Sequence, residues 1–184
     1  MKMIAVALAL LVSTSAASAQ ATLTFRDEAF VRKHEAANAR GGLVEFVPPD
    51  ETLENWTQLV GYRAFFDNTQ SAAQAAAAIG RLASQRYPGA KPRLLTKGNE
   101  AIVEFVLVAP NGVTEFNVFK YAPGPDGRGV VSLQYARRFR GLDPDDVRVF
   151  CARWVNEAAG FDMNAVRSAL PPRPQALNHS ALAS

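Results

Sequence analysis

From Glu100 to Tyr135 the chain runs as three apolar, strand-length segments parted by two turns, and this stretch limits the fold more than any other. In the first segment, 100–109, Val103, Phe105 and Leu107 recur at every second position, the period of a strand. Pro110, Asn111 and Gly112 turn it into 113–121, and an Asn-Gly pair suits the positive backbone angles of a tight hairpin. After a second turn over 123–129, Val131, Leu133 and Tyr135 alternate with Ser132 and Gln134. Strands joined by such short turns form an antiparallel meander, and the alternation predicts one buried face.

Two short strands, 29–34 and 43–48, are expected earlier, separated by the turn-prone residues 38–42, although 25–37 also fits a helix. Pro48 and Pro49 stop the pairing because proline has no amide to donate. A further strand rich in aromatic and branched residues spans 56–66. Ser71 with Gln74 reads as a capping box, opening a helix in which Ala72, Ala75, Ala76, Ile79, Leu82 and Ala83 recur at helical spacing. In the final helix Asp143 is the cap, Pro144 suits the first position, and Asp145 and Asp146 favour the positive end. Its apolar stripe is Val147, Phe150, Cys151, Trp154, Val155 and Ala158, and Gly160 stops it. The expected fold is α+β, an antiparallel sheet of about five to six strands with two main helices packed on it, in the order β-β-β-α-β-β-β-α.

Lys2, the apolar run 3–12 and Ala17-Ser18-Ala19 have the layout of a secretory signal peptide cleaved after Ala19. The apolar run is about half of the roughly 20 residues that span a bilayer. The expected organisation is a leader over 1–19, a single domain over 20–168, and a proline-rich polar tail over 169–184 with too little apolar surface to order. The destination is the periplasm or the exterior. With one cysteine, Cys151, no internal disulfide can form, so the exported chain depends on its core. Lys and Arg number 20 against 17 Asp and Glu, without the concentrated basic block of a nucleic-acid binder.

Residues suited to catalysis are sparse. His34 and His179 stand far apart, and with Cys151 they give no metal-ligand spacing, so neither metal nor cofactor is expected. Cys151 lies on the apolar stripe, where a buried, inert thiol is expected. The glycine-rich stretch 124–129 leads into a strand rather than a helix, which makes it a hairpin turn and not a phosphate loop. Glu45, Glu51 and Glu54 are close enough in sequence for paired acid–base chemistry, or are solvated loop acids. Arg137, Arg138 and Arg140, followed by Arg148 and Arg153, suit carboxylate or phosphate groups of a lipid, glycan or acidic protein; alternatively they pair with Asp143, Asp145, Asp146 and Glu157.

The stretch 45–60 carries Glu45-Phe46-Val47-Pro48, then Glu51-Thr52, then Glu54-Asn55-Trp56-Thr57. In this it resembles a group of small uncharacterised bacterial exported proteins with a strand, a Val-Pro turn, an acidic Glu-Thr and an Asn-Trp-Thr leading into a second strand. That group often has glycine where Asp50 stands here. The resemblance implies compartment and fold and no activity. Physically, Glu54 or Asn55 can bond loop amides while the Trp56 ring packs under the turn and sets the register of the two strands, or the segment is a binding lip. The element order is also similar to the Mog1/PsbP-like class, whose members are mostly accessory or binding proteins.

The function expected is that of an exported, non-enzymatic accessory or binding protein of the bacterial cell envelope. Its candidate contacts are Trp56, Arg137, Arg138 and Arg140, its partner a protein or an anionic envelope component, not nucleic acid. The alternatives are a small-ligand or lipid carrier with a cavity between the sheet and the alanine-rich helix, and a hydrolase using Glu51 or Glu54 as base with an arginine to steady the anion.

Overall fold

The computed structural model describes residues 22–174. The expected leader, and the expected tail from residue 175 onward, lie outside the described residues. The chain forms β1 (Thr22–Phe25), β2 (Glu28–Ala37), β3 (Gly41–Val47), β4 (Gln58–Phe65), α1 (Ala72–Arg86), β5 (Arg93–Lys97), β6 (Glu100–Val108), β7 (Val113–Pro123), β8 (Val130–Arg140), α2 (Pro144–Gly160) and α3 (Met163–Ala169). The α+β class and the antiparallel sheet stand. The strand count does not: the sheet has eight strands, in the order β1-β2-β3-β4-β8-β7-β6-β5.

Two four-stranded meanders therefore meet at the β4–β8 pair, and α1 carries the chain from the middle of the sheet to its far edge. The expectation missed β1 and β5, the two edge strands. All five side chains of β5 are exposed, so burial imposed no alternation on its sequence. The early segment is the strand β2 and not a helix; it pairs with β3 through a bulge at Lys33.

The single buried face is also corrected, because β6, β7 and the first part of β8 are buried on both sides. On one side Val103, Phe105, Phe119 and Tyr121 pack under Ala72, Ala75, Ala76 and Ala83 of α1, where the small side chains let the helix approach closely. On the other, Ile102, Val106, Phe116, Val118, Leu133 and Tyr135 meet Val147, Cys151 and Trp154 of α2 and Met163 and Val166 of α3. The sheet curls around this larger core. Strands β1 and β8 lie four positions apart, roughly 19 Å in a flat sheet. Yet the rings of Phe25 and Tyr135 are 5.6 Å apart, and Trp154 stacks on Tyr135 at 4.1 Å.

Local signals set the element ends. Ser71 and Gln74 form the capping box of α1, and Asp143 accepts from the amide of Asp145 at 2.8 Å to open α2. At the β6–β7 turn only Gly112 takes a positive φ, +76°, so the connection is a three-residue loop of the turn-plus-left-handed-glycine kind instead of a two-residue Asn-Gly hairpin. Phe150, expected in the stripe of α2, is 46% exposed at its margin. Beyond Gly160 the chain adds α3, and the buried ammonium of Lys120 donates to the carbonyls of Ala159 and Phe161, both at 2.9 Å, satisfying the C-terminal end of α2. Residues 170–174 continue past α3 over the sheet, with Leu170 packed on the core and Arg173 paired with Asp67 at 2.9 Å.

Candidate functional site

The loop 48–57 between β3 and β4 is closed by its own polar residues. The amide of Glu51 donates to Pro48 at 3.0 Å, and that of Asn55 to Thr52 at 3.2 Å. Glu51 does the work expected of Glu54 or Asn55: its carboxylate accepts from the backbone amide of Thr57 at 2.6 Å and from the Thr57 hydroxyl. Glu54 is fully exposed, and hydrogen bonds from the Thr52 side chain and its own amide hold its carboxyl below the usual carboxylate range. The bulged Lys33 reaches the carbonyl of Pro49 at 3.1 Å. Beneath this loop, Trp56 and Leu53 pack on Val47, Leu59 and Ala136, a small apolar cluster at one end of the sheet.

Arg138 of β8 joins the loop to the sheet. Its amide donates to Thr57 at 2.8 Å, extending the β4–β8 pairing, and its guanidinium lies 3.5 Å from the centroid of the Trp56 ring. The same guanidinium bonds Glu115 at 3.0 Å. From there a polar row crosses the face: Asn117 donates to Glu115 at 3.0 Å, and Gln134 donates to Asn117 at 3.0 Å. Gly61 lies beside Gln134 on β4, leaving the floor without a side chain, and Glu45 and Arg63 pair at 3.4 Å beyond it. Strand alternation puts all these residues on the face that carries α1, which covers the other half of the sheet.

The arginine cluster divides. Arg137 points to the opposite face, where its guanidinium lies 5.4 Å from the ring of Phe139 and 5.3 Å from that of Phe150. Arg153 covers Phe150 at 4.9 Å and Trp154 at 5.3 Å. Arg140 is exposed at the end of β8. Trp56 and Arg138 are thus brought together, and Arg137 is kept from them by the two-residue period of the strand that holds both arginines. Nor do the nearby acids take up these arginines as sequence proximity suggested: Glu157 pairs with Arg26 at 3.2 Å, and Arg148 reaches Glu104 at 3.5 Å.

Cys151 is buried, and burial pushes its thiol up to about 12. Burial also raises the Glu104 carboxyl above the carboxylate range, against the pull of Arg148 and Arg93. His34 is exposed on β2, and His179 lies outside the described residues. Among the described residues no group of three or more His, Cys, Asp or Glu could hold a metal, and no helix is long and apolar enough to cross a membrane. Sequence reading missed Glu115, Asn117 and Gln134. Their signal is a polar residue at alternate places in strands otherwise apolar, and it becomes a row only when β7 and β8 are in register.

A protein-family model matches residues 17–159, a span that includes every strand and most of α2 and ends before α3. No curated protein and no solved structure matches the chain.

Proposed function

The chain belongs to an uncharacterised protein family, and from that footing we propose that it is a non-enzymatic accessory protein of the bacterial cell envelope, exported with its leader removed after Ala19, which binds a protein or an anionic envelope component. The observation that carries this reading is the row of half-buried Arg138, Glu115 and Gln134, linked through the buried Asn117, beside Trp56. These side chains already hold one another, so they offer fixed donors and acceptors at little further cost in conformational entropy. A base for hydrolysis is less well served: Glu51 is committed to Thr57, and Glu54 has no burial to raise its basicity.

A photoreactive residue at position 55, exposed beside Trp56 and outside the row, introduced in the producing cell, tests the reading. A discrete adduct is expected that Arg138→Ala removes and Arg137→Ala, on the other face, leaves in place. Adducts equally indifferent to both replacements, or none, would count against this face.

A further inference from the structure

Strand β5 is an outer edge of the sheet, and it is unusually uncovered. It pairs only with β6, and its five residues are all exposed, with Leu94 at 44% and Leu95 at 49%. Beside it a groove of about 430 Å³ runs along α1, with Ala76, Ala77, Gly80, Pro92, Leu94 and Val103 in its walls. Glycine at position 80 keeps the helix close to the wall, since a Cβ there would meet Pro92 at 3.2 Å.

The segment that supplies α1 and β5 is one-sided in charge, although β6 sets Glu104 against Arg93, 3.3 Å apart, and Glu100 opposite Lys97. Residues 68–99 contain no Asp or Glu, yet carry Arg81, Arg86, Lys91, Arg93 and Lys97. Spread along the chain they form no basic block; the fold puts Arg81 in the wall of the groove and Arg93 and Lys97 along the β5 edge, on the side of the strand opposite Leu94. A second copy of the chain fits poorly, because antiparallel pairing of β5 with itself about Leu95 sets Arg93 against Lys97, and parallel pairing in register sets each cation against its like. An acidic strand reverses both penalties.

We propose that the β5 edge and the groove beside α1 bind an extended acidic segment of a partner protein as an added strand. The backbone of β5 supplies hydrogen bonds, the surrounding cations select alternate acidic side chains, and the groove takes one apolar side chain of the segment. This surface is separate from the Trp56 face, and the proposal stands independently of it.

The test uses the full chain with three labelled octapeptides alternating valine with glutamate, glutamine or lysine, and with phosphatidylglycerol vesicles. Fluorescence anisotropy should show the glutamate peptide binding at least about tenfold more tightly than the glutamine peptide, with no binding of the lysine peptide. Amide shifts should concentrate on Arg93–Lys97 and the groove. Lys91→Glu with Lys97→Glu, and separately Ala77→Met, which fills the groove from a partly exposed position, should each weaken binding, and Trp56→Ala should not. Equal affinity for the glutamate and glutamine peptides would overturn the proposal. So would shifts away from β5, or vesicle binding without peptide binding. The peptide comparison needs only the native chain, so a variant that fails to fold leaves the test intact.

Discussion

The guanidinium of Arg138 lies 3.5 Å from the centroid of the Trp56 ring while its Nε bonds Glu115 at 3.0 Å. One side chain thus ties the loop 48–57 to β7, and Trp56 in turn covers Val47, Leu59 and Ala136. The two residues should therefore be coupled in stability. In a double-mutant cycle, Trp56→Ala and Arg138→Ala should show an interaction of about 0.5–2 kcal/mol in urea unfolding. Arg137→Ala should add to Trp56→Ala without coupling.

Two buried tyrosines on the curled face differ in their hydroxyls. That of Tyr135 donates to Gln58 at 2.6 Å, whereas that of Tyr62 has no hydrogen-bond partner among the described residues. Tyr135→Phe should cost about 1 kcal/mol, and Tyr62→Phe should be neutral or stabilising by up to about 1 kcal/mol. Denaturant midpoints of the two variants, read at one pH, should move in different directions or by clearly different amounts.

Alkaline pH should destabilise the fold. Burial raises the Cys151 thiol from 9.0 to about 12, and it raises the hydroxyls of Tyr62, Tyr121 and Tyr135 above their ordinary 10.0. Between the ordinary and the raised values the unfolded chain loses protons that the native chain keeps. These groups therefore cost nothing below pH 9 and weaken the fold as pH rises above it. The urea midpoint, followed by circular dichroism, should fall from above pH 9, with Cys151→Ala removing part of the earliest loss. At pH 8 the native thiol should resist a soluble disulfide reagent and react on unfolding.

Gly129 opens β8 with φ +67°, and a Cβ there would lie 2.4 Å from the carbonyl oxygen of Phe65 and 2.9 Å from that of Phe66. Gly112 has φ +76° but open space around it. Gly112→Ala should cost about 1–2 kcal/mol from backbone strain alone. Gly129→Ala adds a clash with backbone that cannot step aside, and should cost about 2–5 kcal/mol or prevent folding. Thermal unfolding of the pair separates the two effects.

Much of the fold is written in short-range chemistry. Ser71 with Gln74 starts α1, Asp143 with Pro144 starts α2, and the turns at 110–112 and 123–129 join β6, β7 and β8, each through contacts a few residues apart. Alternation failed as a guide where both faces were buried, in β6 and β7, and where neither was, in β5. The candidate site was half legible. Trp56 and Arg138 were among the residues singled out, but their grouping with Arg137 and Arg140 followed sequence proximity, which a strand undoes at every step.

The sequence by itself determined the α+β class, the antiparallel meander and the helix starts, because turns, caps and periodicity act between near neighbours. Only the tertiary structure decided that Arg138 meets Trp56 while Arg137 meets Phe150, that Gln134 completes a row begun on β7, and that β5 lies at an edge beside the basic side of α1. Those outcomes depend on which strands pair and in what register, and pairings such as Gln58 with Arg137 join residues far apart along the chain.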